Sequence, residues 1–488
     1  QGFTGFLDFG GKVEASKAES VDYGSAGIMT GVNGVYNNTQ IIMRSDNNIG
    51  DSLSAANLKL SGSGATAVAN VNDKKALVLV NANSKLGAGK FVQDSTGAVA
   101  GVNLAGENSA LILNGSGEIG SITAAGNNSG SFTVGGAVNG NGVVTVKGAI
   151  GDNANAVKNV TINSGSTLAV KGTEAAKDVY TNTLTLNAGG SLKADKNTVT
   201  VTAESGNTIE GNLSANKLVF STADSSVSFT NGAFVNVDEL SVNGTDAKIQ
   251  VGAPASEGET GSSATLEAGK LTLAKGTLFV DPALRQKAAI AAVKTLSKTE
   301  SDGKGTDAQV LDGNIIVGMN SAVGVGFDTR AEVEDLLIQS NYMDPVTKSF
   351  NEDPAALHAA LILNTPIKIA DGAHVVVDTS ATATSGTPDK LEIAANSALV
   401  INDSVFSVGA DGKKTGTAVS FGKTGGSGTV SAANGQIILA GDFDGADTGI
   451  KIFSNASGSE GVNVVSANGV LNGKLGADGT VASLTPDP

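Results

Sequence analysis

Short stretches of alternating apolar and polar residues recur along the chain. In residues 159–172, reading NVTINSGSTLAVKG, Val160 and Ile162 alternate with polar residues, and Leu168 and Val170 do the same after Asn-Ser-Gly. Because successive side chains of a strand point to opposite faces, each half of the stretch predicts a short strand with one apolar face. The Asn-Ser-Gly segment predicts a sharp corner between the two strands.

The same two-strand unit recurs, with its second strand starting 7 to 9 positions after its first. The further copies are Leu184/Leu186 with Leu192/Ala194, Leu218/Phe220 with Val227/Phe229, Leu240/Val242 with Ile249/Val251, Leu271/Leu273 with Leu278/Val280, and Leu391/Ile393 with Leu399/Ile401. A strand this short cannot bury its apolar face alone, whereas rungs stacked at about 4.8 Å build a continuous core. The repeat therefore predicts an all-β chain folded as a β-solenoid. A series of β-hairpins, closed at Asn-Ser-Gly and Ala-Gly-Gly, is the alternative.

Two of these segments, NTLTLNAGGSLKA and NVTINSGSTLAVKG, resemble the passenger-domain repeats of bacterial type V autotransporters. The resemblance covers most of residues 57–281 and returns from about residue 366 to 481. It implies a right-handed parallel β-helix, extracellular at the bacterial cell surface, that acts as an adhesin or as a structural protein. Solenoids of phage fibres and of some surface-layer proteins have a similar sequence, so a surface-layer subunit is an alternative.

The first 54 residues do not follow the repeat. They contain Phe3, Phe6 and Phe9 in a glycine-rich setting, and aromatic side chains bury large areas. One interpretation is a cap on the first rung. The other is a segment that docks on a second copy of the chain, whose receiving edge would lie at residues 464–484. Head-to-tail contacts of this kind would give a filament.

A second departure from the repeat lies in residues 282–365, where apolar residues recur at helical spacing. Three helices are predicted there: Pro282 to Leu296, Thr329 to Leu337, and Pro354 to Ala360. Asp-Pro pairs supply a cap and a first-turn proline for the first and the last of these helices. Thr329 and Glu332 form a capping box for the middle one. The predicted organisation is an N-terminal cap or docking segment at 1–54, solenoid at 55–281, a helix-bearing insertion at 282–365, and solenoid with the C-terminal edge at 366–488.

The composition supports long series of paired strands and argues against nucleic acid as a partner. The first of only 8 prolines is Pro254, so little blocks strand pairing before it. The net charge of −15 makes nucleic acid a poor partner. There is no cysteine, which suits a chain that crosses a cell envelope unfolded, and no apolar run long enough to predict membrane insertion.

The residues give little sign of catalysis. His358 and His374 are the only histidines, and neither lies near a serine-protease motif. Glycan-cleaving β-helices combine carboxylates with aromatic platforms, yet this chain has no tryptophan, and alternation places most phenylalanines inside. We therefore predict a non-enzymatic surface protein, with a glycan-binding or glycan-cleaving β-helix as the alternative.

One acidic segment is a candidate metal site. Asp442, Asp444 and Asp447 place carboxylates at intervals that resemble a calcium loop. The segment lacks the bidentate glutamate of such loops, so we predict an acidic turn, with a metal site as the alternative. No cofactor is predicted.

Overall fold

We analysed a computed structural model of the chain, which describes residues 6–9, 40–43, 48–50, 52–60, 68–81, 89–136, 142–171, 177–253, 262–282, 288–301, 307–351, 358–380, 389–432 and 434–487. The chain divides into two compact units, Gln1–Ser221 and Thr222–Pro488. The described residues are nearly all in strands and connecting turns, and most strand pairings are parallel, so the predicted all-β class is confirmed.

The first unit consists of strands alone among its described residues. They are β1 Phe6–Phe9, β2 Gln40–Met43, β3 Asn48–Ile49, β4 Leu53–Ala55, β5 Asn57–Leu60, β6 Val68–Val71, β7 Ala76–Asn81, β8 Val92–Gln93, β9 Gly101–Leu104, β10 Ala110–Gly115, β11 Gly117–Ile119, β12 Ile122–Ala124, β13 Ser129–Val134, β14 Val143–Val146, β15 Val157–Ile162, β16 Thr167–Val170, β17 Val179–Leu186, β18 Ser191–Val201, β19 Asn207–Ile209 and β20 Asn212–Phe220.

Most of these strands pair in parallel with a strand further along the chain and not with their neighbour in sequence; the exceptions are β1 with β2 and β17 with β18. The rows are β1-β2-β5-β8, β3-β6-β9-β12, β4-β7-β10-β13-β15-β17 and β11-β14-β16-β18-β20. In the predicted unit, Val160 pairs with Leu184, and Leu168 pairs with Leu192, each 24 positions further along. The hairpin alternative is wrong for this unit, because β15 and β16 do not pair with each other.

The core of the first unit follows the predicted alternation. Val160, Ile162, Leu168 and Val170 are all buried, whereas Thr161 between them is partly exposed. Since strands stack in register, each buried side chain lies beside an equivalent one from the next turn of the repeat. Burial of the four residues confirms the strand assignment made from the sequence.

The corners of the first unit are stabilised by stacked asparagines. The Nδ2 of Asn187 donates to Oδ1 of Asn163 at 2.8 Å, and the Nδ2 of Asn163 donates to the Gly135 carbonyl at 2.6 Å. These bonds satisfy polar groups where the chain leaves the ladder. Gly165, at the same corner, has φ of +72°, which explains why glycine follows Asn-Ser.

The second unit contains the remaining strands and the helices. They are β21 Ser226–Phe229, β22 Ala233–Val242, β23 Lys248–Val251, β24 Ala264–Thr272, β25 Thr277–Val280, β26 Ala289–Thr295, β27 Lys298–Ser301, β28 Asp307–Leu311, β29 Asn314–Val317, β30 Ser321–Val325, α1 Arg330–Gln339, β31 Ala359–Leu363, β32 Ile367–Ile369, β33 His374–Val377, β34 Lys390–Ile393, β35 Ser397–Asn402, a 3₁₀ turn Asp403–Val405, β36 Ser407–Val408, β37 Lys414–Phe421, β38 Gly428–Ser431, β39 Gln436–Ala440, β40 Ile450–Ser454, β41 Ala456–Ser457, β42 Asn463–Ser466, β43 Leu471–Leu475 and β44 Val481–Pro486.

Three parallel rows organise the second unit. Row one is β21-β23-β25-β29-β33-β34-β38-β41, row two is β22-β24-β26-β30-β31-β35-β39-β42, and row three is β28-β32-β37-β40. Antiparallel pairing is confined, among these strands, to β27-β28, β36-β37, β42-β43 and β43-β44.

The predicted helix from Pro282 to Leu296 is wrong, since Ala289–Thr295 is strand β26 of row two. Ala289 to Val293 are buried without a break. A strand covered on both faces loses its alternation, and a run of alanine, isoleucine and valine then imitates a buried helix.

The second predicted helix is confirmed as α1. It begins after Thr329, and the Glu332 carboxylate accepts the Thr329 backbone N–H at 3.2 Å, as in a capping box. Val333, Leu336 and Leu337 are buried on the outward face of row two. A Cβ at Gly324 of β30 would lie 2.4 Å from Cγ2 of Val333, so glycine is what allows the helix to lie so close.

The third predicted helix and the insertion need correction as well. Residues 352–357 lie outside the described residues, and Ala359 and Ala360 begin strand β31. Strands β26, β29, β30 and β31 all belong to rows one and two. The described residues between 282 and 365 therefore continue the parallel rows and include one helix, α1, instead of forming an insertion beside the rows.

Candidate functional site

The outward face of row one carries a small cavity. Two stacked rows of side chains point there: Lys248, Thr277, Asn314 and His374 in one, and Gln250, Phe279, Ile316 and Val376 in the other. The residues between them, such as Leu278 and Ile315, are fully buried on the opposite, inward face. Since side chains alternate along a strand, both stacked rows lie on the same outward face.

The middle of this face is apolar although it points outward. Phe279 and Ile316 are only 6% and 3% exposed. They lie side by side, because Phe279 pairs with Ile316 in the parallel register of β25 and β29. They form the floor of a cavity of about 360 Å³, which we call the His374 cavity.

Two nitrogen atoms in the His374 cavity have no hydrogen-bond partner. Nε2 of Gln250 and Nε2 of His374 are both buried, and His374 as a whole is 5% exposed. A buried polar group without a partner costs free energy, and native structures contain few of them. Both atoms are also shielded from solvent, so neither is exposed to a ligand in the cavity.

The strand pairing fixes the position of His374. Its backbone N–H donates to Oδ1 of Asn314 at 3.0 Å, and Nδ2 of Asn314 donates to the Thr277 hydroxyl at 3.4 Å. Burial lowers the pKa of His374, although Glu392 acts in the opposite direction. The imidazole is therefore neutral at pH 7, and its Nε2 acts as a donor or an acceptor according to the tautomer.

The edge of the cavity carries one acid and one base. Asp246 and Lys248 lie there, together with Thr245. Asp246 is the single carboxylate among the described residues that line the cavity, whereas the usual glycosidase mechanism needs two.

The acidic segment at Asp442, Asp444 and Asp447 forms a turn around Lys414. Asp447 accepts the Lys414 backbone N–H at 3.0 Å, and its Oδ2 lies 3.6 Å from the Lys414 ammonium. Asp444 instead accepts the Ala446 N–H at 2.7 Å. Among the residues that the structure describes, no group of three His, Cys, Asp or Glu side chains is arranged to hold a metal. The geometry corresponds to an acidic turn in which Asp447 pairs with Lys414.

Aromatic side chains complete this turn. The Lys414 ammonium lies 4.9 Å from the centre of the Phe443 ring, and the rings of Phe406 and Phe443 meet edge to face at 6.0 Å. The ammonium is thus held by a carboxylate and by an aromatic ring. The structural role of the turn is to connect β37 to the β39–β40 loop.

The segment predicted to dock on a second copy is described in part. Phe6 and Phe9 lie in β1, which pairs in parallel with β2, while Phe3 lies outside the described residues. The predicted receiving edge is paired within the chain, because Val464 and Val465 of β42 pair with β43 and β43 pairs with β44. Head-to-tail docking remains a prediction.

The two histidines differ in setting. His374 opens strand β33, as alternation predicts. His358 is not helical, since it directly precedes β31, and its backbone N–H donates to the Asn396 carbonyl at 2.8 Å.

Comparison with protein-family models, with curated proteins and with solved structures found no match to this chain. Within the described residues, no helix is long and apolar enough to cross a membrane.

Sequence reasoning missed the His374 cavity. It treated Leu278 and Val280 as the inward residues of β25 but did not ask what Phe279, which alternates outward, would contact. The available signal was the loss of alternation in TLFV, NIIV and HVVV, three paired strands that are apolar on both faces.

Proposed function

We propose that the chain is an extracellular, non-enzymatic right-handed β-solenoid that serves as a structural or adhesive protein at a bacterial surface. The resemblance to autotransporter passengers suggests the location, and the net charge of −15 and the absence of cysteine are compatible with it.

Parallel pairing at a distance is the observation that carries this proposal. Ala110 pairs with Ser131, and Ser131 pairs with Asn159, at intervals of 21 and 28 residues. Parallel neighbours need a crossover, usually a helix. Here the crossover between β10 and β13 consists of further strands, β11 and β12, which belong to other parallel rows. A chain that passes through its rows in this order supports the proposed solenoid, and the right-handed sense is proposed because about 98% of parallel crossovers are right-handed.

The adhesive role is supported by the outward faces. In a solenoid, these faces are what a second surface meets, and the His374 cavity gives one of them a recess lined by polar and apolar side chains. Assembly into filaments or a surface layer remains a second possibility within the same proposal, and it would use Phe3, Phe6 and Phe9.

The proposal is tested with beads coated with the purified chain and mixed with bacterial and epithelial cells. We expect cell binding by the native chain and none by the heat-denatured chain. Negative-stain images of the uncoated chain report rods, lattices or filaments. The adhesive and the structural role would both be contradicted if beads coated with the native chain bind no cells and the chain also forms no assembly.

A further inference from the structure

We propose that the chain forms a two-fold symmetric dimer in which a rigid loop of each copy fits a groove of the other copy. The loop consists of residues 344–349, and we call it the Val346 loop. The groove, which we call the Phe443 groove, lies between the end of α1, the β39–β40 loop and the β42–β43 turn. The inference goes beyond the proposed function, because it applies equally to an adhesive and to a structural protein.

The Val346 loop presents an apolar side chain to solvent. Val346 is 87% exposed, the highest value among the large hydrophobic residues that the structure describes. Its neighbours Pro345, Thr347 and Lys348 are exposed as well. Removing an apolar side chain from water gains free energy, so the tip of the loop favours contact with an apolar surface.

Hydrogen bonds within the Val346 loop hold it in one conformation. The Asp344 carboxylate accepts the backbone N–H groups of Val346 at 2.8 Å and of Thr347 at 2.7 Å. Below the tip, Met343 forms a β-bridge with Phe350, and both residues are buried. A loop that is ordered before it binds loses less conformational entropy on binding.

Lys348 gives the loop a positive charge at a backbone conformation that lysine rarely adopts. Its φ is +55°, in the left-handed region that favours glycine and asparagine. Lys348 is exposed, and it forms no ion pair with another residue that the structure describes. Backbone strain of this kind points to a function of the side chain. The ammonium is available to a carboxylate of another copy.

The Phe443 groove offers an apolar wall that solvent reaches. Its volume is about 410 Å³. Phe443, Ala467 and Leu471 are partly exposed where they line the groove, and Val470 is 55% exposed. These side chains are therefore open to contact with a partner, unlike the shielded floor of the His374 cavity.

The edge of the Phe443 groove is acidic. Asp444 lines the groove, Asp442 precedes it on the same turn, and both are exposed. The nearby Lys414 ammonium pairs with Asp447. Asp444 itself forms no ion pair with a residue that the structure describes, although its Oδ1 accepts the Ala446 N–H. A lysine from another copy would therefore meet a carboxylate that has no cation of its own.

The loop and the groove match each other and lie on one side of the second unit. Val346 and Lys348 supply an apolar tip and a charge, and the groove supplies an apolar wall and Asp444. Tyr342 and Met343 at the base of the loop belong to the buried cluster against which Ala467 of the groove packs. In a two-fold interface both copies use the same surface patch, so each loop enters the groove of the other copy.

Sedimentation velocity of the full chain tests the proposal, at protein concentrations up to about 200 µM. Salt at about 0.15 M screens the repulsion between two copies with a net charge of −15 each. Because the contact is small, we expect a reversible dimer with Kd on the order of 10 µM.

Exposed substitutions in the loop locate the contact. Val346→Asp and Lys348→Glu should each weaken dimerisation by at least about tenfold, because each removes one half of the match. Val143→Asp is the matched control, since Val143 is an exposed valine of β14 in the first unit, and it should leave Kd unchanged. Lys348→Glu combined with Asp444→Lys exchanges the two charges and should restore Kd to within about threefold of the native value.

The inference is overturned if the native chain stays monomeric at the highest concentration, or if Val346→Asp and Lys348→Glu associate like the native chain. It is also overturned if both loop variants are monomeric and the charge exchange does not restore the dimer, since the loop would then meet a different surface. If Asp444→Lys lowers the melting temperature, Val470→Asp replaces it as the groove variant and must weaken dimerisation as the loop variants do.

Discussion

Two strand rows, one in each unit, bury their outward faces to different extents. In the first unit, β15 and β17 bury their inward residues and leave outward ones such as Thr161 partly exposed. In the second unit, β26, β30 and β31 are buried on both faces, because α1 and the segment after it cover the outward side. The row of the first unit, which we call the plain stacked face, has a core on its inward side alone. The row of the second unit has a second core on its outward side, beneath α1.

The difference shows how an additional layer changes the sequence that a sheet tolerates. A half-exposed strand keeps an apolar–polar alternation, whereas β30 reads SAVGV with no polar residue after its first. The covered face also favours small residues, because the helix must approach closely. Ala292, Ala322 and Gly324 fill that role below α1.

The largest expected effect comes from a charge placed in the plain stacked face. Ile162→Asp puts a carboxylate without a partner between Val134 and Leu186, and we expect it to lower the free energy of unfolding by about 3–5 kcal/mol. Urea denaturation followed by circular dichroism measures the loss. Thr161→Asp, on the outward side of the same strand, is the control and should cost less than about 1 kcal/mol. Equal losses at the two positions would remove the distinction between inward and outward faces.

The next largest effect is expected in the second core, where α1 packs on the outward side of its row. Leu337→Ala deletes a fully buried side chain from α1, and we expect a loss of about 3 kcal/mol where the helix packs on the sheet. Hydrogen exchange measured by mass spectrometry should show faster exchange in Arg330–Gln339. Asp335→Ala, an exposed position of the same helix, is the control. Unchanged protection in Leu337→Ala would mean that α1 does not contribute to a core.

A smaller effect tests how α1 begins. Thr329→Ala removes the hydroxyl of the capping box, and we expect the helix to lose about 1 kcal/mol. The same hydrogen-exchange measurement should show fraying of the first turn while the last turn keeps its protection. Restoration by Thr329→Ser, which retains the hydroxyl, distinguishes capping from packing. A first turn that stays protected without the hydroxyl would show that Glu332 alone suffices.

The smallest effect concerns the outward face of row one. Burial lowers the pKa of His374 below its ordinary value of 6.5, against the influence of Glu392 and with that of Lys390. The unfolded chain then binds the proton more tightly, so stability is full above pH 6.5 and falls as the pH decreases from there toward the folded-state pKa. Urea midpoints at pH 7.5 and 5.5 should differ more in the native chain than in His374→Gln. An identical pH dependence in both would contradict the buried position of His374.

The sequence predicted the strands correctly where one face of the strand is exposed. Val160, Ile162, Leu168 and Val170 were assigned correctly, because alternation, the Asn-Ser-Gly corner and the spacing all depend on the local chain. The helix at Thr329 was found for the same reason, since its capping box is local. The strand at Ala289–Thr295 was missed, because its second buried face depends on α1, about 40 residues further along.

The His374 cavity could not be predicted from the sequence, for a related reason. Gln250, Phe279 and His374 come from strands spread over more than 120 positions, and only the parallel register brings them to one cavity. Asp442, Asp444 and Asp447 were interpreted from the sequence as an acidic turn in preference to a calcium loop, because the bidentate glutamate is missing. The sequence could not show that Asp447 pairs with Lys414, which lies 28 positions before Asp442.

The central claim is that rungs stack in parallel one turn of the repeat apart, and a disulfide tests it most directly. The chain has no cysteine, so Thr161→Cys with Thr185→Cys introduces one possible bridge between outward residues that pair in register. Adjacent strands lie about 4.8 Å apart, which suits a disulfide. We predict rapid, complete oxidation in this variant and none within the monomer for Thr161→Cys with Thr167→Cys. Oxidation of the second pair but not the first, measured by mass spectrometry, would contradict parallel stacking and favour a hairpin.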